Sequence, residues 1–546
     1  MQNATRRTLF GISLACLLAS AAPLHAGHEI EEETTEPEEP AWMLGTWGGL
    51  RPKLEERGIY LWFDYAGEVL GNPVGGKRRG AVYQGAFDAG IEIELESLIG
   101  WRGATISATG NYSHGSLYSD RYIGDLAGVS HLESYDTLRL LELWFEQKVA
   151  IGAATLSLRV GSQALDAEFW LNAHESLLIN NTFGTPIVAS GNFPIPSYAL
   201  AALGARFAAV IGKPSERAAL FQFGIFDGNP ASGILPDPTP GTSASTDFNK
   251  HGTNWALRRS EGALLIGETG FTFNQPGEDP DEDEDEEGDG KAAKEIVKPP
   301  RGLGGTYRLG VIHHTDTFSD VRDTALLDQG VEIGHDPARS VRGNTALYVT
   351  MDQELWREPG SDTEGLTVFG RASFAPKRQN RFDYSWETGV HYLGLLPGRP
   401  KDQLALGFGV THINSRVSGA VRDANRELGR RREPAAAREV DQAERDLAAV
   451  DRDPDDFEQT QDDLNDALAD LASARESQRE ARQEDETNRR NRVKVPDYEA
   501  VLELTYRAQI TPWFALQPDV QWIIHPGAST AIDDALVIGL RAAVSF

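Results

Sequence analysis

The chain has 546 residues, of which 25% are charged and 40% hydrophobic, and its formal net charge is −30. This composition excludes a bundle of transmembrane helices, because after the N-terminal leader no uncharged apolar run approaches the roughly 18 residues that a spanning helix needs. The negative charge argues against a nucleic-acid partner, since nothing would offset phosphate repulsion. The only cysteine, Cys16, lies in the leader, so we expect neither a disulfide nor thiolate chemistry in the mature chain.

The N-terminus has the pattern of an export signal. Two arginines, Arg6 and Arg7, precede a long apolar stretch that ends near Ala26. A charged start, an apolar middle and a small residue at the cleavage position predict a signal peptide over residues 1–26. The acidic residues 27–43 that follow are predicted to form a disordered linker.

After a predicted periplasmic N-terminal segment at 44–57, which contains a short helix, apolar and polar residues alternate with period two along 58–546. Strict alternation predicts strands with one apolar and one polar face. A soluble β-sandwich would also alternate. A membrane barrel is favoured because the segments run about ten residues and the polar face carries charges and glycines. Aromatic residues also stand near segment ends on the apolar face: Tyr65, Tyr392, Trp522 and Phe546.

The segments can be counted back from the C-terminus. We predict strands at about 58–70, 81–98, 102–112, 136–150, 155–163, 199–211, 218–226, 261–275, 303–314, 342–352, 364–375, 381–393, 402–416, 497–510, 513–524 and 534–546. This even number predicts an all-β fold, a sixteen-stranded antiparallel transmembrane β-barrel. Long connections alternate with short ones, so the long set is assigned to the outer face and both chain ends to the periplasm.

Two inserts interrupt the strands. Residues 417–496 are highly charged, and apolar residues at near-heptad spacing predict a helical hairpin over 430–495 in an outer loop, although a disordered charged loop also fits. The predicted seam consists of Val440, Ala443, Leu447, Val450, Phe457, Leu464, Leu468 and Leu471. Residues 276–300 form an acidic periplasmic insert. They lack the bidentate glutamate of a calcium loop, so we expect solvated disorder, with loose cation binding left open.

Four separated blocks carry a family resemblance. They are Leu44-Gly45-Thr46-Trp47-Gly48-Gly49-Leu50, Leu141-Glu142-Leu143-Trp144-Phe145-Glu146, Leu158-Arg159-Val160-Gly161-Ser162-Gln163, and Val501 to Gly527 with its Gln517-Pro518-Asp519-Val520-Gln521-Trp522 core. Together they resemble the carbohydrate-selective porins of the bacterial outer membrane. The resemblance implies a sixteen-stranded barrel that passes sugars down their gradient through a narrowed eyelet.

Candidate sugar-binding residues follow from strand parity and from the third outer loop, 164–198. A sugar-selective pore needs polar groups for hydroxyls and rings for the CH face, and it must bind weakly enough for release. The predicted pore-lining residues are Glu142, Trp144, Glu146, Arg159, Gln163, Asp166, Glu168, Phe169, Trp170, Glu503, Gln517, Asp519, Gln521 and Arg541. Structural roles also fit: Arg159 or Arg541 could pair with Glu142 or Glu503, and Trp144 could pack in the wall.

The sequence therefore predicts an outer-membrane porin for passive, substrate-selective diffusion of mono- or oligosaccharides. It contains neither Gly-x-Ser-x-Gly nor His-Glu-x-x-His, so we expect no enzyme, no cofactor and no metal. Expected partners are carbohydrates, outer-membrane lipid and lipopolysaccharide, and the barrel-assembly machinery through Phe546, with the chain a monomer or trimer. Alternatives are a general or acid-accepting porin, and a barrel-anchored interaction protein that acts through residues 430–495.

Overall fold

The computed structural model describes residues 42–115, 117–231, 249–255, 257–275, 302–329, 338–361, 363–427, 433–449, 457–491 and 493–546. Three predicted segments lie outside the described residues: the signal peptide, all of the acidic linker except its last two residues, and the acidic insert at 276–300. Their predicted character, including cation binding at 278–289, therefore stays a prediction.

A single closed antiparallel sheet of sixteen strands forms the barrel, in which each strand pairs with its neighbours in sequence and β1 closes onto β16. The strands are β1 Ile59–Gly76, β2 Gly80–Glu94, β3 Ala104–His114, β4 Thr137–Ile151, β5 Ala154–Gln163, β6 Ala202–Lys213, β7 Arg217–Asp227, β8 Ala263–Phe273, β9 Gly305–Ser319, β10 Ser340–Arg357, β11 Gly365–Phe374, β12 Phe382–Leu393, β13 Gln403–Ile413, β14 Tyr498–Thr511, β15 Phe514–Ile524 and β16 Asp533–Ser545. The predicted fold class is confirmed.

Strand ends differ most from the prediction in β1, β2, β9 and β10, and β9 and β10 each continue five residues further, to Ser319 and Arg357. β1 continues to Gly76, so the first outer connection shrinks to three residues, 77–79. β2 ends at Glu94, where the prediction ran to 98, and a short helix follows over Leu95–Ile99. The sequence there fits period two as well as one helical turn. The backbone settles the choice because Gly100 adopts a left-handed φ of 76° and caps the helix.

Seven α-helices lie in the described ranges: α1 Leu50–Glu55, α2 Leu95–Ile99, α3 Ile187–Ser190, α4 Val321–Asp328, α5 Ser415–Glu427, α6 Glu433–Ala449 and α7 Phe457–Asn491. None of these helices is both long enough and apolar enough to cross a membrane.

Residues 321–339 and 415–496 form a compact helical unit separate from the barrel unit. Helices α6 and α7 make the predicted hairpin, with Val440 and Leu471 buried between them and an ion pair of 2.9 Å between Arg475 and Glu444. The prediction that Leu468 belongs to the seam is wrong. Its side chain is 47% exposed, because Ala467, three residues after Leu464 and four before Leu471, takes the position on the face that these two residues share. Val450 lies outside the described residues.

The two faces of the barrel wall follow the predicted parity in most strands. In β5, Leu158 and Val160 are exposed on the outer face, whereas Arg159 and Gln163 are buried inside. Leu141 is an exception, because it was expected on the lipid side but is only 5% exposed and lines an interior cavity. The register between β3 and β4 shifts at this point, and a bulge of one residue turns two consecutive side chains inward.

The N-terminal segment packs at the seam where the barrel closes. α1 carries Arg51, whose guanidinium lies 4.3 Å from the ring centroid of Trp42 and 4.4 Å from that of Trp47. The Nη2 atom of Arg51 donates a hydrogen bond of 2.7 Å to the carbonyl oxygen of Phe546. The predicted short helix before β1 is therefore present, and it contacts the last residue of the chain.

Candidate functional site

The third outer loop, residues 164–201, folds into the barrel and packs against the interior wall. Its apolar side chains Phe169, Leu177, Leu178 and Phe183 are all at most 3% exposed. These apolar side chains lie inside an otherwise polar lumen and must be shielded from water. Leu178 and Phe183 are shielded by packing against the wall at the glycine at 407, where an added Cβ would lie 2.3 Å from Leu178.

The tip of the loop is held by the last strands of the barrel. Both carboxylate oxygens of Glu503 accept hydrogen bonds from the loop backbone, one from the amide of Ile179 and one, at 3.0 Å, from that of Asn180. Gln517 donates to the carbonyl of Leu177 at 2.8 Å, and Gln521 accepts from the Asn180 side chain at 2.8 Å. Three of the predicted pore-lining residues thus use polar atoms to anchor the loop.

Further contacts attach the loop to β11, three strands along the wall from β14. From β11, Arg371 donates to the carbonyl oxygens of Gly184 at 2.5 Å and Thr182 at 3.0 Å, and it forms ion pairs with Glu175 and Glu387 at 3.2 Å each. Arg371 was not among the predicted residues. Its strand alternates Val368, Gly370 and Ala372 against it, so its inward direction was readable, but its loop partners were not.

The beginning of the loop is held by a cluster of four charges, here named the clasp: Glu146, Arg159, Glu168 and Arg206. Arg159 lies 2.6 Å from Glu168 and 3.4 Å from Glu146, and Arg206 lies 2.9 Å and 2.8 Å from the same two carboxylates. The two arginines stand directly opposite each other in the β5–β6 register. Like charges in that position repel, so the bridging carboxylates are what makes the arrangement stable.

The indole of Trp144 completes the clasp. The guanidinium of Arg159 lies 3.8 Å from its ring centroid, a cation–π geometry, and Trp144 is only 5% exposed. The structural alternative was that Arg159 or Arg541 pairs with Glu142 or Glu503, and the structure agrees with the ion pairing but not with these partners. Both are ion-paired, but Arg159 pairs with Glu146 and Glu168, and Arg541 pairs at 2.8 Å with Glu68.

A second missed residue, Glu268, fixes the backbone at Trp170. The carboxylate of Glu268 accepts from the Trp170 amide at 2.9 Å, from the Tyr348 hydroxyl at 2.7 Å and from Arg308 at 3.0 Å. Trp170 has a left-handed φ of 46°, which is uncommon for a bulky residue. The buried hydrogen bonds of Glu268 hold this residue in place.

Between the loop and the wall lies a cavity of about 180 Å³. The polar residues that line it include Glu142, Asp166, Trp170, Glu175, Tyr198 and Arg371. Among the described residues, the indole Nε1 of Trp170 is buried without a hydrogen-bond partner. The cavity therefore combines an aromatic ring, carboxylates and a guanidinium.

Burial changes the charge state of the loop carboxyls around this cavity. It raises the pKa of Asp166 to about 6, although the Tyr198 amide donates to this carboxylate. It raises the pKa of Glu175 well above its usual range, an effect that Arg371 opposes. In the second outer loop, burial and the nearby Asp125 raise the pKa of Glu133 to about 8. These acids are poorly solvated, so burial favours their neutral form.

The remaining predicted residues divide between the wall and the loop core. Glu142 accepts the Ala164 amide at 2.8 Å at the entrance to the loop, and Gln163 and Asp519 are buried in the wall. Phe169 was predicted to offer a ring to the pore. It is 0% exposed and packs in the core of the loop.

A sequence profile described as "Carbohydrate-selective porin, OprB family" matches residues 78–440 and 471–546. The chain belongs to the OprB family of carbohydrate-selective porins. Porin B of Pseudomonas aeruginosa is 24% identical over 522 residues, covering 92% of this chain and 91% of its own. The putative porin QuiX of Acinetobacter baylyi is 20% identical over 517 residues, covering 92% and 93%.

The high-pH structure of Pseudomonas putida OprB shares the fold, with a TM-score of 0.67 at 22% identity, covering 94% of this chain and all of that one. This OprB-family porin is therefore a substrate-selective channel for carbohydrates in the outer membrane, and channels of this family are not enzymes. The profile omits residues 441–470, which include parts of α6 and α7.

Proposed function

We propose that sugars pass through the cavity between the third loop and the wall, and that its polar groups and the Trp170 indole bind them weakly. The observation that carries this is a single cavity lined by the Trp170 side chain, by carboxylates and by the Arg371 guanidinium. At about 180 Å³ the cavity is smaller than the roughly 300–1,000 Å³ typical of sites for drug-sized ligands. That size favours one sugar ring at a time.

The predicted pore residues then fall into two roles. Glu142, Asp166 and Trp170 contact the sugar, because they line the cavity. The clasp, Glu503, Gln517 and Gln521 hold the loop that forms one side of it. Glu175 and Arg371, which the sequence did not single out, join the first group. A carboxylate beside a guanidinium keeps a fixed geometry and can still accept a sugar hydroxyl.

Passage by this route makes and breaks no covalent bond. Hydrogen bonds to hydroxyls exchange with bonds to water, so the net free energy of each is small, about 0.5–1.5 kcal/mol. Binding of this strength favours entry and still allows release, as a selective channel requires. We accordingly propose no catalytic residue, no cofactor and no metal for transport.

The test is sugar flux in liposomes that contain purified protein, together with sugar block of ion current in planar bilayers. Trp170→Phe keeps a ring but removes the indole N–H, and we expect several-fold weaker sugar block with a normal ion conductance. Trp522→Phe is the matched control, because Trp522 lies on the outer face and is 37% exposed. Equal sugar block in both variants and the wild type would place the sugar site elsewhere.

A further part of the proposal concerns export and assembly of the chain. We propose cleavage of the signal peptide after Ala26, insertion among outer-membrane lipid and lipopolysaccharide, and recognition of Phe546 by the barrel-assembly machinery, with the chain a monomer or trimer. The exposed apolar outer face, such as Ile538 and Leu540 of β16 at 49% each, supports the membrane contact. Removing Phe546 should lower the yield of heat-modifiable folded barrel, and a normal yield would contradict its role.

A further inference from the structure

A belt of long polar side chains runs along the inner wall over neighbouring strands, on the periplasmic side of the tip of the third loop. Strand register places Gln403 opposite Arg507, Gln517 opposite Arg541, and Arg541 opposite Glu68. The pairs Thr505–Asp519 and Ala508–Leu516 set Arg507 opposite Gln517, which joins these positions into one row. Arg507 and Glu503 share the inner face of β14. Their separation of four residues puts Arg507 about 13 Å nearer the periplasmic turn than the loop anchor.

The two arginines of this belt differ in their partners. Arg541 donates to Glu68 at 2.8 Å and to Ser130 at 3.1 Å, and the other oxygen of Glu68 accepts from Gln84 at 2.8 Å. Arg507 is 2% exposed, and its Nη1 atom is buried without a hydrogen-bond partner. No carboxylate of the described residues forms an ion pair with its guanidinium.

Nearby acids do not supply the missing anion. Glu503 is occupied by two amides of the loop. Asp519 accepts a hydrogen bond of 2.8 Å from Gln521 through Oδ2, and although its Oδ1 has no partner, it forms no ion pair with Arg507. The register places a second guanidinium, that of Arg541, on the other side of Gln517 from Arg507. A buried guanidinium without a counter-charge is unfavourable, and an arriving anion would relieve it.

We propose that Arg507 is the carboxylate subsite of the pore, which takes sugar acids that have passed the third loop. This rests on the proposed function and extends it to anionic carbohydrates. The guanidinium fork matches a carboxylate in two parallel hydrogen bonds. Gln403 and Gln517 flank Arg507 in register. The amide nitrogen of Gln517 already donates to Leu177 and Thr505, so Gln403 is the amide that would meet the hydroxyls next to that carboxylate. Gln403 has its Oε1 atom 3.1 Å from His391, which leaves its amide nitrogen as a donor.

The test compares glucose with glucuronate, which has the same ring and carries a carboxylate in place of the terminal hydroxymethyl group. Proteoliposomes take up both sugars, each with its own radiolabel, from one mixture. Arg507→Gln removes the charge with little change of length, and we expect the glucuronate-to-glucose flux ratio to fall about tenfold. A tenfold change corresponds to about 1.4 kcal/mol of binding free energy. Arg507→Lys, which keeps the charge but not the fork, should lie between the two.

Arg102→Gln is the matched control. Its side chain is 91% exposed outside the strands, and it loses the same charge. An unchanged ratio in Arg507→Gln, or an equal fall in Arg102→Gln, would overturn the proposed subsite. Normal glucose flux in these variants would still support the proposed porin function. If the folded wild type conducts ions but passes neither sugar, the proposed function itself fails. Heat-modifiable migration in gels shows that each variant is folded before flux is measured.

Discussion

The two ends of the third loop are held inside the barrel by different chemistry. At its beginning, the clasp uses four mutual ion pairs among two arginines and two glutamates, all at 3.4 Å or less. At its tip, Glu503 binds two backbone amides, Gln517 and Gln521 add hydrogen bonds of neutral amides, and Arg371 donates to two backbone carbonyls. The beginning therefore depends on ion pairs between side chains, and the tip mainly on side chains that bind the backbone of the loop.

This difference predicts how each end responds to mutation. In the clasp, each charge has two opposite partners, so the loss of one leaves every remaining group with at least one partner. At the tip, Glu503 alone accepts from Ile179 and Asn180, and its loss leaves two buried amides unsatisfied. Each such amide costs about 1–3 kcal/mol. We therefore expect the tip to be the more sensitive end.

The largest effect is expected for Glu503→Ala. Without its acceptor the loop tip should leave the β14–β15 wall, and single-channel ion conductance in planar bilayers should rise about twofold or more while sugar block disappears. Leu502→Ala is the control, because Leu502 is the next residue of the same strand and is 43% exposed on the outer face. Wild-type conductance in folded Glu503→Ala would show that the tip does not need this anchor.

A smaller effect is expected at the clasp. Arg159→Ala and Glu168→Ala should each weaken sugar block about tenfold. The loss of binding free energy in the double variant should be smaller than the sum of the two single losses, because the two side chains interact directly at 2.6 Å. Titration of sugar block in bilayers gives the binding constants for this cycle. If both single variants block like the wild type, the clasp does not position the sugar site.

Stability should also depend on pH through Glu133. Its pKa is raised to about 8 in the folded protein, so between its ordinary pKa and pH 8 the folded state binds more protons than the unfolded state. Stability must then fall as pH rises through this window. The unfolding temperature in detergent should be higher at pH 5 than at pH 8, and Glu133→Gln should reduce that difference. An equal difference in the variant would assign it to other groups.

The smallest effect on transport is expected from the helical insert. Asn425 and Val493 exchange hydrogen bonds of 2.7 Å and 3.1 Å, so the ends of the hairpin lie together and a short Gly/Ser turn can replace residues 430–491. Sugar flux should then remain within about twofold of the wild type, a difference of roughly 0.4 kcal/mol at most. A large loss of flux would instead assign the insert a part in transport.

Much of the barrel was readable from the chain alone. Alternation with period two predicted all sixteen strands, and it placed Arg159, Glu503 and Gln517 on the inner face, because each strand position has only two directions to point. Local backbone chemistry was harder to foresee. The bulge that turns Leu141 inward and the helix after β2 both depend on a single residue's departure from the regular pattern.

The candidate site needed the folded barrel. The residues of the hydrogen bond from Asn180 to Glu503 are 323 positions apart in the sequence, and those of the hydrogen bonds from Arg371 to the loop are nearly 190 apart. A local sequence pattern cannot predict contacts at such separations. Arg206, Glu268 and Arg371 were visible as inward charges but not as loop partners. Alternation specifies the face of the wall on which a side chain lies. The contacts between side chains across the lumen depend on the path of the third loop. That path is established by closure of the barrel together with burial of the loop's apolar residues.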